Sequence, residues 1–435
     1  MYTAEATLMT DAYRNMPDTL FWKQFMSLTN DLTQTAVVKD ALQPAHVELM
    51  NRHVMEALAM MCRRRSSMQG LRVYVDNAIQ DEAYKTEYLF PYVPEAGEDI
   101  ISWSARVFGE KKFGLIINQI EKFSGDLARY IVMLVKPLLD ITGIPQNGFH
   151  TSTFIGNYGY TPLGIHQDHR GSCVIHFHLG PGGKTMYTWD ERAYYDLCGG
   201  KQNNMDIVPL LPSADRYAFG QGDIYFMPWN SFHVGYTEAL SIGVTFWFDN
   251  HLSSVIVDKL FDMLKAKYVN LRDKTITVPE RRESNFSGFP DIARLLRLDD
   301  FSEGVSFTEL FRNIYEESWL TIKSNGGWRF RPLSRRAETG YDENDYLHFS
   351  GKTVCGVYPF EIKCKTSPTG DVFLYSRGAE FQMKYHQGII TIINKLNTHT
   401  PVPVADLISE LDGWPVDARL YFISVLYNNK AIEVI

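Results

Sequence analysis

Residues 151–248 are cut into short runs of β-branched and aromatic residues by glycine and proline clusters, among them Gly156-Asn157-Tyr158-Gly159, Gly180-Pro181-Gly182-Gly183 and Gly220-Gln221-Gly222-Asp223. Short apolar runs at even spacing, each bounded by residues that turn the chain, predict a small antiparallel barrel or jelly roll. Helical periodicity brackets this region. Before it, Leu20, Phe21, Phe25 and Met26, then Val47, Met50, Val54 and Leu58, recur at helical spacing; 71–75 reads as a strand and 124–142 as a helix stopped by Gly143 and Pro145. After it, Val255, Leu260 and Leu264, then Ile292, Leu295 and Leu296, carry a helical pattern to about Ile322. Strand-like pieces at 373–375 and 381–383 precede three short helical patterns (389–396, 404–411, 418–426) and a strand at 431–435, which is the order of a winged helix. The expected architecture is a mainly β core: a helical and mixed front over 1–110, the barrel over 111–250, a helical connector over 251–330 and a winged-helix-like module over 331–435.

The barrel segment holds the chemistry. In Thr161-Pro162-Leu163-Gly164-Ile165-His166-Gln167-Asp168-His169, His166 and Asp168 stand two apart, and on a strand that spacing points both to one face. A second segment begins at Gly222-Asp223 as a strand after a turn and ends on His233. Two imidazoles and one carboxylate form the facial triad of non-haem Fe(II) oxygenases, leaving three adjacent positions for a bidentate co-substrate and O2. An H-x-D pair arises by chance in a chain with 12 histidines, so the weight comes from its setting: the Gly-Asp approach to His233 and the following strand-like run Ser241-Ile242-Gly243-Val244-Thr245-Phe246-Trp247-Phe248. The run Val174-Ile175-His176-Phe177-His178 puts two histidines on one face, pointing into the barrel if they keep the parity of Asp168. They either hydrogen-bond a co-substrate or substrate, or are satisfied histidines of a polar interior. His169, of opposite parity, reads as outer support or surface, and Trp229, Phe246 and Trp247 read as core.

The run Gly114-Leu115-Ile116-Ile117-Asn118-Gln119-Ile120-Glu121-Lys122-Phe123, the Tyr160-Thr161-Pro162 approach to H-x-D, the Gly-Gly-Lys184 turn and the strand ending in Phe246-Trp247 resemble the JmjC-like family of Fe(II)/2-oxoglutarate oxygenases, in particular its cupin-4 or ribosomal oxygenase branch. The likeness is specific over about 110–250 and extends loosely to the end, since that branch carries a helical dimerisation segment and then a winged helix. The resemblance implies a double-stranded β-helix (cupin) core, Fe(II), 2-oxoglutarate and O2 as co-substrates, and hydroxylation of a protein or peptide side chain with succinate and CO2 as co-products. It also implies a homodimer formed through about 251–322. In such enzymes a Lys or Arg on the strand after H-x-D holds the far carboxylate of 2-oxoglutarate; Lys184 stands there, after a turn longer than the family pattern. Thr245 and Tyr160 reach the same pocket or simply line the barrel.

Other readings stay open at this level: the same chemistry on a free amino acid or natural-product precursor, a silent cupin acting as a binding module, or a Zn or Mn isomerase on the same barrel. A formal net charge of −8 argues against a general nucleic-acid binder, and residues 381–435 carry four basic against five acidic residues, which points to a structural or partner-docking module. The basic clusters at 63–65, Arg281 with Arg282, and Arg335 with Arg336 read as solvated surface. Five scattered cysteines without a C-x-x-C pair predict neither a disulfide framework nor a zinc site and suit a reducing cytoplasm. Glu5 and Asp11 stand where an export signal needs a basic end and an apolar core, and the apolar stretch 131–144 is broken by Lys136, Pro137 and Asp140, so it reads as a buried helix and not a membrane span.

Overall fold

The computed structural model describes residues 12–65, 70–268, 306–367 and 370–435; Glu5, Asp11, Arg281, Arg282, Ile292, Leu295 and Leu296, named above, lie outside them. Helices α1 (Thr19–Leu28), α2 (Pro44–Arg64), α3 (Ile100–Phe108) and α4 (Gly125–Thr142) open the chain. Their starts follow from local chemistry: Asp18, Asp99 and Ser124 each accept a hydrogen bond from a first-turn backbone N–H, and Pro44 occupies the first turn of α2, where a missing N–H costs nothing.

The core is two antiparallel sheets. The larger has eight strands in the order β1 (Ala36–Val38), β11 (Ile224–Met227), β8 (Ser172–Pro181), β13 (Ser241–Asp249), β5 (His150–Gly156), β4 (Phe113–Asn118), β2 (Leu71–Val75) and β3 (Ala78–Ile79). The smaller runs β10 (Asp215–Phe219), β9 (Lys184–Asp190), β12 (Ser231–Thr237), β6 (Gly159–Tyr160), with β7 (His166–Gln167) also paired to β12. This is the two-sheet, jelly-roll arrangement of a double-stranded β-helix.

Side-chain parity sets which face does what. On β8, Ile175, Phe177 and Leu179 join the core formed with α1, α2 and α4, while His176 and His178 point the other way; on β13, Val244 and Phe246 face the helices while Thr245 and Trp247 face inward. Burying each large apolar side chain contributes about 1.5–3 kcal/mol, so the helical layer is what makes the outer face of the larger sheet stable. Asn51 of α2 donates to the Leu179 carbonyl and the Trp22 indole to that of Leu134, tying strand and helices together.

The segment before residue 110 is not a separate front: β1 pairs with β11, β2 with β4, and its buried residues belong to the same core as the barrel's. A three-residue strand such as β1 is too short to show alternation, and its place is set by a partner far along the chain. Between β9 and β10 lies an insertion bearing α5 (Glu191–Cys198). Beyond the barrel, α6 (Ser253–Tyr268) packs on α7 (Phe307–Ser324) through Phe261 and Phe311. The C-terminal unit has a three-stranded meander, β15 (Lys363–Thr366), β16 (Asp371–Ser376) and β17 (Ala379–Lys384), and a second sheet of β18 (Val402–Pro403), β14 (Thr353–Gly356) and β19 (Ile432–Val434). Helices α8 (Gln387–Leu396), α9 (Val404–Ile408) and α10 (Val416–Asn428) enclose its own apolar core with Ile392, Leu407 and Ile423. It is joined to the barrel unit by an Arg129–Glu433 ion pair and by Trp328, which packs on Phe149. Among the described residues, no helix is long and apolar enough to cross a membrane.

Candidate metal centre

Strands β7 and β12 run antiparallel with His166 directly opposite His233, and Asp168 follows one residue past the end of β7. One ligand atom from each of His166, Asp168 and His233 lies within 4.8 Å of the others; the two rings are 4.4 Å apart, and His233 Nε2 is 3.9 Å from Asp168 Oδ2. The three residues the sequence marks as ligands are therefore brought together.

Each imidazole is aimed by its own backbone. His166 Nδ1 donates to the Gly164 carbonyl at 2.9 Å and His233 Nδ1 to that of Ser231 at 3.2 Å, which leaves both Nε2 atoms as free acceptors. This is the outer-shell arrangement that fixes the tautomer of a metal-ligating histidine. Gly164 is required for it: its φ is +68°, and a Cβ there would sit 2.6 Å from the Asn204 carbonyl oxygen. Asp168 Oδ2 is buried with no hydrogen-bond partner, an expensive state for a carboxylate unless a cation is coordinated. Two neutral nitrogens and one carboxylate oxygen, with the remaining sides open to a cavity, fit a divalent ion such as Fe(II).

Burial, helped by the neighbouring His233, pushes His166 down to about 4; burial likewise lowers His233 to about 4 and raises Asp168 to about 6. The histidines are thus neutral wherever a metal would bind near neutrality, and only Asp168 competes for a proton. Metal affinity is expected to be nearly flat above pH 7. Below pH 6 it should fall about tenfold per unit as Asp168 protonates, and more steeply below pH 4 when the imidazoles follow. A pH series of Co(II) titrations on wild type and Asp168→Asn checks this; an unchanged pH profile in the variant would assign the titration to a histidine instead.

The ligands open into a cavity of about 380 Å³, walled by apolar side chains that include Phe154, Val174, Met186 and Met227. Lys184 lines it and is 7% exposed; its ammonium lies 4.9 Å from the Phe154 ring centroid and donates weakly to the Tyr158 hydroxyl at 3.4 Å. Among the described residues no carboxylate lies within ion-pairing distance of it, so a buried cation faces the cavity without a counter-charge. Even after the long turn, Lys184 stands on the cavity wall.

His176 and Thr245 also line the cavity. The Thr245 hydroxyl donates to His176 Nδ1 at 3.0 Å, His176 Nε2 contacts His178 Nδ1 at 3.4 Å, and His178 Nε2 donates to the Gly182 carbonyl at 2.7 Å. A carbonyl can only accept, so the protons run one way along the chain and both imidazoles are neutral; burial lowers His176 well below its ordinary value and His178 to about 4. Both ring nitrogens of each histidine are thus engaged within the protein, as the satisfied-histidine reading has it, and His176 in addition forms part of the cavity wall. Gly243 leaves room for it, since a Cβ there would come within 2.0 Å of the His176 ring.

Tyr160 is not brought to the cavity: it packs on Tyr187 and Tyr236 on the other face of the smaller sheet, and Tyr158 approaches Lys184 instead. Trp247 packs against the apolar cluster that includes Val174, Met186 and Met227, as a core residue does, and is also cavity wall, its indole donating to Ser152 and its ring stacked on His150. His169 is exposed at the mouth. Sequence reasoning did not find the polar rim. Asp249 is buried there and paired to Arg329 and His150; burial alone would raise its pKa, but these partners hold it below the ordinary carboxylate range. Nor did it find that the insertion braces the metal loop. Asn203 donates to the Leu163 carbonyl, Gln202 accepts from the Gln167 N–H, and Asn204 pairs with Ile165.

No protein-family model matches the chain, and no curated protein matches it. It is similar to solved structures of YcfD from Escherichia coli. An X-ray structure of that protein is 12% identical over 95% of this chain and 98% of its own, with a TM-score of 0.46. A structure described as YcfD, a ribosomal oxygenase, in complex with cobalt and 2-oxoglutarate is 12% identical over 97% and 99%, and one in complex with cobalt and succinic acid 13% identical over the same shares, each with a TM-score of 0.47. Likeness at that level establishes neither membership nor activity, so what the centre can do rests on the side chains described above.

Proposed function

We propose that the chain is an Fe(II)- and 2-oxoglutarate-dependent oxygenase that hydroxylates a protein or peptide side chain and releases succinate and CO2. The observation that carries this reading is the pairing, in one cavity, of a three-ligand cluster with a buried lysine that has no carboxylate within ion-pairing distance among the described residues. A dicarboxylate with a chelating keto-acid end and a free far end matches both. Iron, when bound, supplies the redox chemistry that couples loss of CO2 from 2-oxoglutarate to insertion of oxygen into a C–H bond. The chain's own residues do the rest. Gly164 and Ser231 aim the imidazoles, and Lys184 with the Tyr158 hydroxyl takes the far carboxylate. The apolar walls exclude water, and the neutral Thr245–His176–His178 chain keeps the floor uncharged.

A polymer substrate is supported by the mouth. The insertion reaches it through Asn203, and nearby on the same insertion Tyr195, Leu197 and Met205 are exposed. Exposed Val257 and Phe261 on α6 and Phe307 on α7 support a homodimer through these helices, and a cytoplasmic enzyme is consistent with free cysteines throughout. The test is turnover. Protein loaded anaerobically with Fe(II) and then given O2 is expected to convert 2-oxoglutarate to succinate, faster with a pool of peptides and with one oxygen added per peptide by mass. Iron and 2-oxoglutarate bound without any succinate formed would leave a binding module in its place.

A further inference from the structure

A second cavity, of about 710 Å³, lies on the other side of Arg329, where residues 329–334 meet the turn between β16 and β17. Lys122, Arg329, Arg331 and Arg377 line it, and among the described residues no acidic side chain does. Arg329 is already committed to Asp249, and Lys122 is half-satisfied by Gln119 at 3.1 Å; burial lowers the pKa of Lys122 against the opposing pull of adjacent Glu121, and nearby Arg331 adds to the lowering. Arg331 is exposed and has no hydrogen-bond or ion-pair partner among the described residues; its Cβ lies 3.3 Å from where a Gly378 Cβ would stand, so it is held beside the turn.

Arg377 is the residue that asks for a ligand. It sits in a two-residue turn with φ of 47° at Arg377 and 74° at Gly378, and its backbone N–H donates to the Ser324 carbonyl, which already docks the turn. Its guanidinium lies 3.5 Å over the Phe360 ring and donates through Nε to Asn325 at 3.2 Å. It is 3% exposed, and its terminal Nη2 is buried with no partner. The acidic groups nearest it are engaged elsewhere: Glu433 with Arg129, Glu338 with Lys430, and Asp126 near Arg129. Burial, reinforced by Arg129, pulls the Arg377 pKa down to about 9. Glu433, Asp126 and Glu338 attract the Arg377 guanidinium only from beyond ion-pair distance, so among the described residues it has no direct ion pair, and its planar fork matches the oxygens of a tetrahedral oxyanion.

We propose that this cavity binds a phosphate-type oxyanion, gripped by Arg377 and Arg331 with Lys122 at its edge. The site is separate from the metal centre and stands whatever that centre does. Its size exceeds a bare phosphate, so the anion is either free or the end group of a larger phosphate ester; the contacts to the oxyanion are the same in both.

The test is calorimetric titration of the full chain with inorganic phosphate against chloride of equal ionic strength, then with a ribose 5-phosphate. Wild type is expected to bind one phosphate saturably, with affinity at least tenfold weaker in Arg331→Gln, an exposed position whose substitution leaves folding intact, and weaker still in Arg377→Gln. Tighter binding of the ester, competing with phosphate, would identify a carried phosphate, and phosphate alone binding would identify the free ion. No saturable binding in wild type, or equal binding in both variants, would overturn the proposal.

Discussion

Asp168→Ala is expected to lose tight divalent-metal binding and turnover while the metal-free protein stays as stable as wild type or becomes more so. Metal loss should exceed the roughly 10–100-fold that removal of an outer-shell partner costs, because a ligand itself is gone. The stability half follows from the carboxyl's position: Oδ2 is buried with no partner, and burial raises the pKa from 3.8 to about 6. A group whose folded pKa is raised stabilises the fold below its unfolded pKa, and that contribution is lost as pH climbs through the folded value. Metal-free wild type should therefore weaken between about pH 4 and pH 6, by on the order of 1–3 kcal/mol for a shift of this size, and the variant should lack that slope. Thermal unfolding of both proteins with chelator, at pH 4 and pH 7.5, reads this out. A variant that unfolded at pH 7.5 well below wild type would make Asp168 a structural residue.

Lys184→Ala is expected to weaken 2-oxoglutarate binding by about two orders of magnitude or more, the usual cost of truncating one partner of a buried charge pair, while metal affinity changes little. Lys184 makes no ion pair among the described residues, so its loss breaks no salt bridge among them. Tyr158→Phe should cost about tenfold, the worth of one hydrogen bond to a charged group. The two variants separate an anchor from a strut: a strut would lower the unfolding midpoint and leave the 2-oxoglutarate dissociation constant where it was.

The parts of this site legible in the sequence were those fixed by short-range pattern. Two residues apart on a strand means one face, so His166 and Asp168 announced themselves; the Gly-Asp turn marked the approach to His233, but the strand it feeds, β11, ends at Met227, and His233 stands on the next strand, β12, in the other sheet. Lys184 came from the family resemblance, which puts a cation on the strand after H-x-D, and it does line the cavity. Tyr160 was misplaced because glycines at positive φ, Gly156 at 156° and Gly159 at 74°, break the alternation between β5 and β6, so parity counted through them fails and Tyr158 takes the contact. Asp249 and Arg329 were invisible for a different reason: each is unremarkable alone, and their pairing joins the end of β13 to a segment far along the chain. Trp247 shows a third limit: its place against an apolar cluster fits the core reading, but only parity on β13 shows that it stands beside Thr245 on the cavity side as well. In the fold, long elements such as α4 and β8 were legible, whereas β1 and β3 depend on partners that no local pattern reveals.

The most direct test of the central claim is anaerobic addition of Fe(II), then 2-oxoglutarate, to metal-free protein while the weak visible charge-transfer band of an iron–keto-acid chelate is monitored. Wild type should take up one Fe(II) and develop the band saturably, with Lys184→Ala needing far more 2-oxoglutarate and His233→Ala developing none. Iron bound at His166, Asp168 and His233 with no band at any 2-oxoglutarate concentration would contradict the account.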